Sequence, residues 1–317
     1  MRIVLAIVLC LVVVAILWMD GETSNDPFAA VTAVERPDPP DVAGPATTSV
    51  PPSARTEGPP RTSPRLDARE QARALVEKGD LQGAYDLLTR AIAAKPGDGD
   101  LYNERGIVFL DGRDYAGARR DFTEALNRNP RLAAAWSNRS VARRRLDDPQ
   151  GALSDASRAI QLDPRFADAF SNRGLVLMEL GRIDEARRDF QTALALSPGH
   201  VRYRANLGQT EVVARRWQEA EAILSGIDGS DPMSLGALSS RAIARVHLGR
   251  RAEAENDCRD LGMMPVYEAF CLGVVHEHLG ELDRARDYID RARTLAGGQA
   301  LFDIVAREFR VVRVRRT

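Results

Sequence analysis

"AWSNRS" stands at residues 135–140 and "AFSNRG" at residues 169–174, 34 positions later. That interval decides the architecture. Prolines keep it at Pro96, Pro130, Pro164, Pro198 and Pro232, and alanines at Ala84, Ala118, Ala152, Ala186, Ala220 and Ala254. Gly106, Gly174 and Gly208 form another series, with Ser140 in the missing slot and the large residues Tyr102, Trp136 and Phe170 just before. A further series runs Leu88, Phe122, Ala156, Phe190, Leu224 and Cys258. Within each period apolar residues recur every three or four positions, the spacing of a helix with one buried face. Each period therefore holds two short helices. The small residue of the first and the alanine of the second let the backbones approach, and the proline ends the second helix. One such pair cannot bury its own apolar face, so successive pairs must stack. The fold class is all-α, a solenoid of helix pairs.

The residues on this grid resemble the tetratricopeptide repeat family. Trp136-Ser137-Asn138-Arg139-Ser140, Phe170-Ser171-Asn172-Arg173-Gly174 and Asn206-Leu207-Gly208 fit its first helix. Ala118, Phe122, Ala125 and Pro130, with Ala186, Phe190, Ala193 and Pro198, fit its second. The resemblance implies a right-handed superhelical solenoid over residues 65–298, in seven units near 65–98, 99–132, 133–166, 167–200, 201–234, 235–265 and 266–298. The first unit is degenerate, with Ala68 and Gln71 where an aromatic and a leucine belong. The sixth is three residues short, since Gly273 and Ala285 lie 31 positions after Ala242 and Ala254. The irregularity falls in "RDLGMMPVY" (259–267), where a local change of pitch is expected. Residues 299–317 are read as a capping helix, through Leu301, Ile304, Val305 and Phe309, followed by a basic tail. Asn138, Asn172 and Asn206 share one repeat position and are read as structural.

Ahead of the repeats, residues 1–20 carry one basic charge, Arg2, and an uncharged apolar run from Ile3 to Met19. Seventeen residues at a helical rise of about 1.5 Å just span a bilayer core. The length of the run, and Asp20-Gly21-Glu22 where a small-residue cleavage site would stand, favour an uncleaved, single-pass signal anchor over a cleaved signal peptide. Cys10 lies mid-run and reads as an apolar filler. Arg2 on one flank and Asp20, Glu22 and Asp26 on the other place the amino terminus in the cytoplasm and the repeats beyond a bacterial inner membrane, in the periplasm. The alternative is a soluble periplasmic protein released from its signal. Residues 21–64 form a Pro-rich disordered linker; ten of the chain's 17 prolines fall between Pro27 and Pro64. Some forty residues of extended linker reach at most about 130 Å.

A net charge of −1 provides no overall field for nucleic acid or anionic membrane. The sequence contains no phosphate loop, nucleophile elbow or paired zinc cysteines. Acidic pairs such as Asp147-Asp148 and Asp184-Glu185 stand at helix starts, where the dipole favours them. No catalytic residue, resident metal or cofactor is expected. His276 and His278 are two apart and point to different faces, whereas His247 and His278 share a repeat position on adjacent units and flank Glu277. Cys258 and Cys271 sit on the second helix of the sixth unit and the first helix of the seventh. In an oxidising compartment they can pair as a disulfide; otherwise they are two buried thiols.

Stacked pairs present a concave face lined by first helices, and in the resembled family ligands commonly lie there. Three rows follow from the grid. One is Ile107, Val141, Leu175, Gln209, Ile243 and Val274; the next is Leu110, Arg144, Met178, Val212, Val246 and Glu277; the third is Asp111, Arg145, Glu179, Val213, His247 and His278. Apolar rows edged by mixed charge suit a peptide. Arg69 and Arg73 lie in rows that chaperone-tail binders use, but Ile107 and Val141 replace the polar clamp, so capture of a terminal carboxylate is not expected. The leading reading is a non-enzymatic, membrane-anchored scaffold for protein or peptide partners in envelope assembly or maturation. The alternatives are the specificity module of an envelope glycan- or peptide-processing activity, and a self-assembling structural protein.

Overall fold

The computed structural model describes residues 67–227, 235–261 and 265–297. The expected membrane segment, the linker and the carboxy-terminal cap lie outside these residues. Among the described residues, no helix is long and apolar enough to cross a membrane. The chain divides into two compact units. One comprises residues 1–67 with 77–79, of which only Asp67 and 77–79 are described; the other, residues 68–76 with 80–317, holds the helical array.

Among the described residues the array is a solenoid of seven helix pairs. These are α1 (Ala68–Glu77) with α2 (Leu81–Ala94), α3 (Gly99–Asp111) with α4 (Tyr115–Arg128), and α5 (Ala133–Arg145) with α6 (Pro149–Leu162). Then follow α7 (Ala167–Glu179) with α8 (Ile183–Leu196), α9 (Val201–Val213) with α10 (Trp217–Leu224), α11 (Leu235–His247) with α12 (Arg251–Arg259), and α13 (Pro265–His278) with α14 (Leu282–Leu295). The second helix of the shortened sixth unit, α12, spans 9 residues and that of the fifth unit, α10, spans 8, where α4, α6 and α8 span 14. Residues 262–264 of the irregular junction lie outside the described residues.

The periodic small residues act as the close approach requires. A Cβ on Gly106 would lie 2.5 Å from the Phe122 ring, on Gly174 2.7 Å from Phe190, and on Gly208 closer still to Leu224. Where the first helix instead carries Ser140 or Ala242, the facing residue shrinks to Ala156 or Cys258, all four buried. The core is thus a column of complementary small and large residues running through the stack. Between the helices of a pair the chain turns through a left-handed residue: Gly181, Gly249 and Gly280, but Arg113, Asp147 and Arg215 in other units. Asp80, Asp114 and Asp148 then cap α2, α4 and α6, each accepting from a backbone N–H three residues on.

A repeated ion pair joins the two helices of four units. Arg139 donates to both oxygens of Asp155 at 2.8 and 2.9 Å, both residues buried. Arg105 with Asp121 and Arg173 with Asp189 repeat the two-oxygen contact at the same separation of 16 residues, and Arg241 donates twice to the single oxygen Oδ1 of Asp257. Burial raises the Asp121 carboxyl above its ordinary range, against the pull of Arg105. In the fifth unit Leu207 and Ile223 stand at these two positions and pack in one apolar cluster. The arginine occupies the place where the repeat pattern expects leucine, and the aspartate accompanies it.

Candidate binding face

First helices pack on the first helices of neighbouring units: α3 on α5, α5 on α7, α7 on α9, α9 on α11 and α11 on α13. Second helices pack on first helices of their own and the next unit, and among the described residues no two of them are packed comparably. The first helices therefore form the inner face of the stack, and their exposed edges are what a ligand in that groove meets.

Along this face a line of side-chain amides and hydroxyls crosses from unit to unit. Asn138 donates through its Nδ2 to Asn103 Oδ1 at 3.1 Å, Asn172 to Ser137 Oγ at 2.9 Å, and Asn206 to Ser171 Oγ at 3.2 Å. Each bond joins consecutive first helices, so the recurrent asparagines hold units in register. Beside that line, Ile107, Leu110, Val141, Leu175, Met178 and Gln209 are partly exposed, as the rows require. Asp111, Arg145, Glu179 and His247 are exposed at the edge; Arg144, Val213, Glu277 and His278 are half-buried. Arg144 reaches Glu179 of the next unit at 2.6 Å, which ties part of the charged border to the scaffold. Arg73 forms an ion pair with Glu104, a carboxylate that is itself buried.

Four expected groove residues are not on the surface. Val212, Ile243 and Val274 are at most 1% exposed, Val246 is buried beside them, and all four belong to one apolar cluster that spans α9 to α14. The first helices α9, α11 and α13 close over them, so the apolar rows are accessible in the first half of the array and buried in the second. What the second half offers instead is an aromatic edge. Trp217, at the start of α10, stacks on His247 with ring centroids 4.0 Å apart and planes 11° from parallel. His247 Nε2 lies 3.1 Å from His278 Nδ1, with the two rings nearly perpendicular. The shared repeat position of the two histidines signalled this contact; Trp217 begins a second helix, and the inner rows contain no second-helix residue.

The junction of the last two units is joined covalently. Cys258 and Cys271 form a disulfide between α12 and α13, with Cα atoms 5.4 Å apart. Close by, Glu281 accepts from Arg251 at 2.5 and 3.0 Å and from His276 Nδ1 at 2.8 Å. The Arg251 bonds first, then the His276 bond, hold the Glu281 carboxyl down at about 2. Among the described residues, no group of three or more His, Cys, Asp or Glu is placed to hold a metal ion.

A column of small residues facing large ones, a 34-residue period and an inner face of first helices are the features a tetratricopeptide array is built from, and the family's profile matches residues 69–119, 103–165 and 171–234, more than half of the chain. The chain belongs to the tetratricopeptide repeat family. No curated protein matches this tetratricopeptide repeat chain. A tetratricopeptide repeat protein from Parabacteroides merdae is similar over 76% of this chain and 96% of its own, at 21% identity and a TM-score of 0.57. The APC/C Cut9–Hcn1 assembly is similar over 75% of this chain and 48% of its own, at 16% identity and a TM-score of 0.61. PilW, a type IV pilus biogenesis factor, is similar over 65% and 97%, at 20% identity and a TM-score of 0.54. At these identities the likeness is one of fold.

Proposed function

We propose that this tetratricopeptide array is a protein-interaction scaffold, held at the outer side of a bacterial inner membrane by residues 3–19, that binds an extended or helical segment of a partner on its inner face. The observation that carries the reading is the pairing of accessible apolar residues from two adjacent rows, Val141, Leu175 and Met178, with the amide line of Asn138, Asn172 and Asn206 on the same inner face. Apolar side chains supply contact area, and amides bond to a peptide backbone whatever its sequence. The accessible apolar stretch runs through α3, α5 and α7, so binding centres there and not on the closed second half.

Two observations support the compartment. The apolar run of residues 3–19 has a basic residue before it and acidic ones after it. The Cys258–Cys271 disulfide suits an oxidising environment and persists poorly in a reducing cytoplasm. A role in envelope assembly or maturation follows from that compartment together with a surface made for partners. In-cell photo-crosslinking from position 175 tests the binding face. A reporter active only outside the cytoplasm, fused at the carboxy terminus, tests the topology.

A further inference from the structure

The scaffold reading assigns no task to His247 and His278. Two imidazole nitrogens from neighbouring first helices lie 3.1 Å apart, on the exposed edge where α11 meets α13. Their placement is fixed from several sides. The Trp217 indole lies flat against His247. α11 packs directly on α13, and α13 is bonded to α12 by the disulfide.

The separation is informative. Imidazole–metal bonds of about 2.0–2.1 Å to one shared ion would close nitrogens 3.1 Å apart into an angle of about 98° at the metal. That lies between the angles that neighbouring positions make at a square-planar or octahedral ion and at a tetrahedral one, and it is far from the straight line a two-coordinate ion needs. We propose that His247 Nε2 and His278 Nδ1 form a two-point site for a late first-row divalent cation, copper foremost. Imidazole suits these ions, and copper stands highest in their order of affinity. Among the described residues no group of three such donors is gathered here, so the protein provides the two imidazoles. The remaining positions fall to water or to a donor from a molecule bound at this edge. A bound ion replaces the direct nitrogen–nitrogen hydrogen bond: the proton between the two nitrogens moves to the other ring nitrogen of its imidazole, which frees both lone pairs, and the metal links α11 to α13. This inference stands apart from the scaffold reading, because it concerns the last three units and needs no partner.

Trp217 supplies the readout. In the full chain in detergent, Trp18→Phe and Trp136→Phe leave it as the single tryptophan of three. Titration with Cu2+ is expected to quench its fluorescence saturably at one equivalent, because the ion sits on the ring stacked against the indole. Electron paramagnetic resonance of the copper-loaded natural sequence should show coupling to two imidazole nitrogens. His278→Ala should weaken the quench tenfold or more while helical circular dichroism is unchanged, and His200→Ala, at a distant turn, should leave it intact. Quenching that survives in the His247→Ala, His278→Ala double variant would overturn the site. So would the absence of saturable quenching in the natural pair, which would leave the contact as a structural hydrogen bond.

Discussion

The ring of Phe190 occupies the space where a side chain on Gly174 would begin: a Cβ there would stand 2.7 Å from Phe190 Cε1. Phe190 is fully buried, so the ring has nowhere to retreat. Gly174→Ala should therefore cost about 1–3 kcal/mol in chemical denaturation, the range for overpacking a core. Combining it with Phe190→Ala should cost less than the sum of the two changes, because the second removes what the first strikes. The fourth unit would then resemble the natural pairing of Ser140 with Ala156.

The ion pairs that bridge helices respond differently to single and paired changes. Asp155→Ala leaves Arg139 charged and 8% exposed, and should destabilise by about 3–5 kcal/mol. Arg139→Leu with Asp155→Ile copies the fifth unit's own Leu207 and Ile223, and should be near neutral or stabilising. Denaturation of the two variants side by side checks this. A paired change as costly as the single one would mean that the charge pair contributes net stability.

The turns offer a gain. Arg113 and Arg215 hold φ of 63° and 58° at the repeat position where Gly181, Gly249 and Gly280 sit. A left-handed residue with a Cβ is disfavoured by about 1–2 kcal/mol, part of which glycine's greater unfolded freedom offsets. Arg113→Gly should stabilise the fold by up to about 1 kcal/mol, seen as a higher thermal midpoint.

At the last junction the stability should depend on acid. Glu281 has its carboxyl at about 2 in the folded chain, against an ordinary 4.5, through Arg251 first and then His276. Because the folded state holds the proton less readily, this contribution is complete above about pH 4.5 and is lost as pH falls towards 2. Thermal midpoints of Glu281→Gln should lie below those of the natural protein at neutral pH and converge on them across that window. Parallel curves throughout would count against the carboxylate's role.

The helix pairs were legible because the 34-residue spacing records a backbone requirement: Gly106, Gly174 and Gly208 can be nothing larger while Phe122, Phe190 and Leu224 face them. The meeting of His247 and His278 was legible for the same reason, since equivalent positions on adjacent units stack. The burial of Val212, Ile243, Val246 and Val274 was not. It depends on how closely successive first helices approach, which is set by packing across several units and leaves no mark on one row. Arg139 and Asp155 lay on the grid in plain sight, but their partnership emerges only when two series 16 residues apart are read together. Trp217 escaped because it enters the inner edge from the start of a second helix.

The most direct test of the scaffold reading is photo-crosslinking in living cells from a reactive side chain at Leu175 on the inner face. Gln191, exposed on the second helix of the same unit, serves as the outward control. The account predicts a discrete crosslinked product from position 175 that is absent from position 191. Equal products from both positions, or none from position 175 in a folded protein, would contradict it.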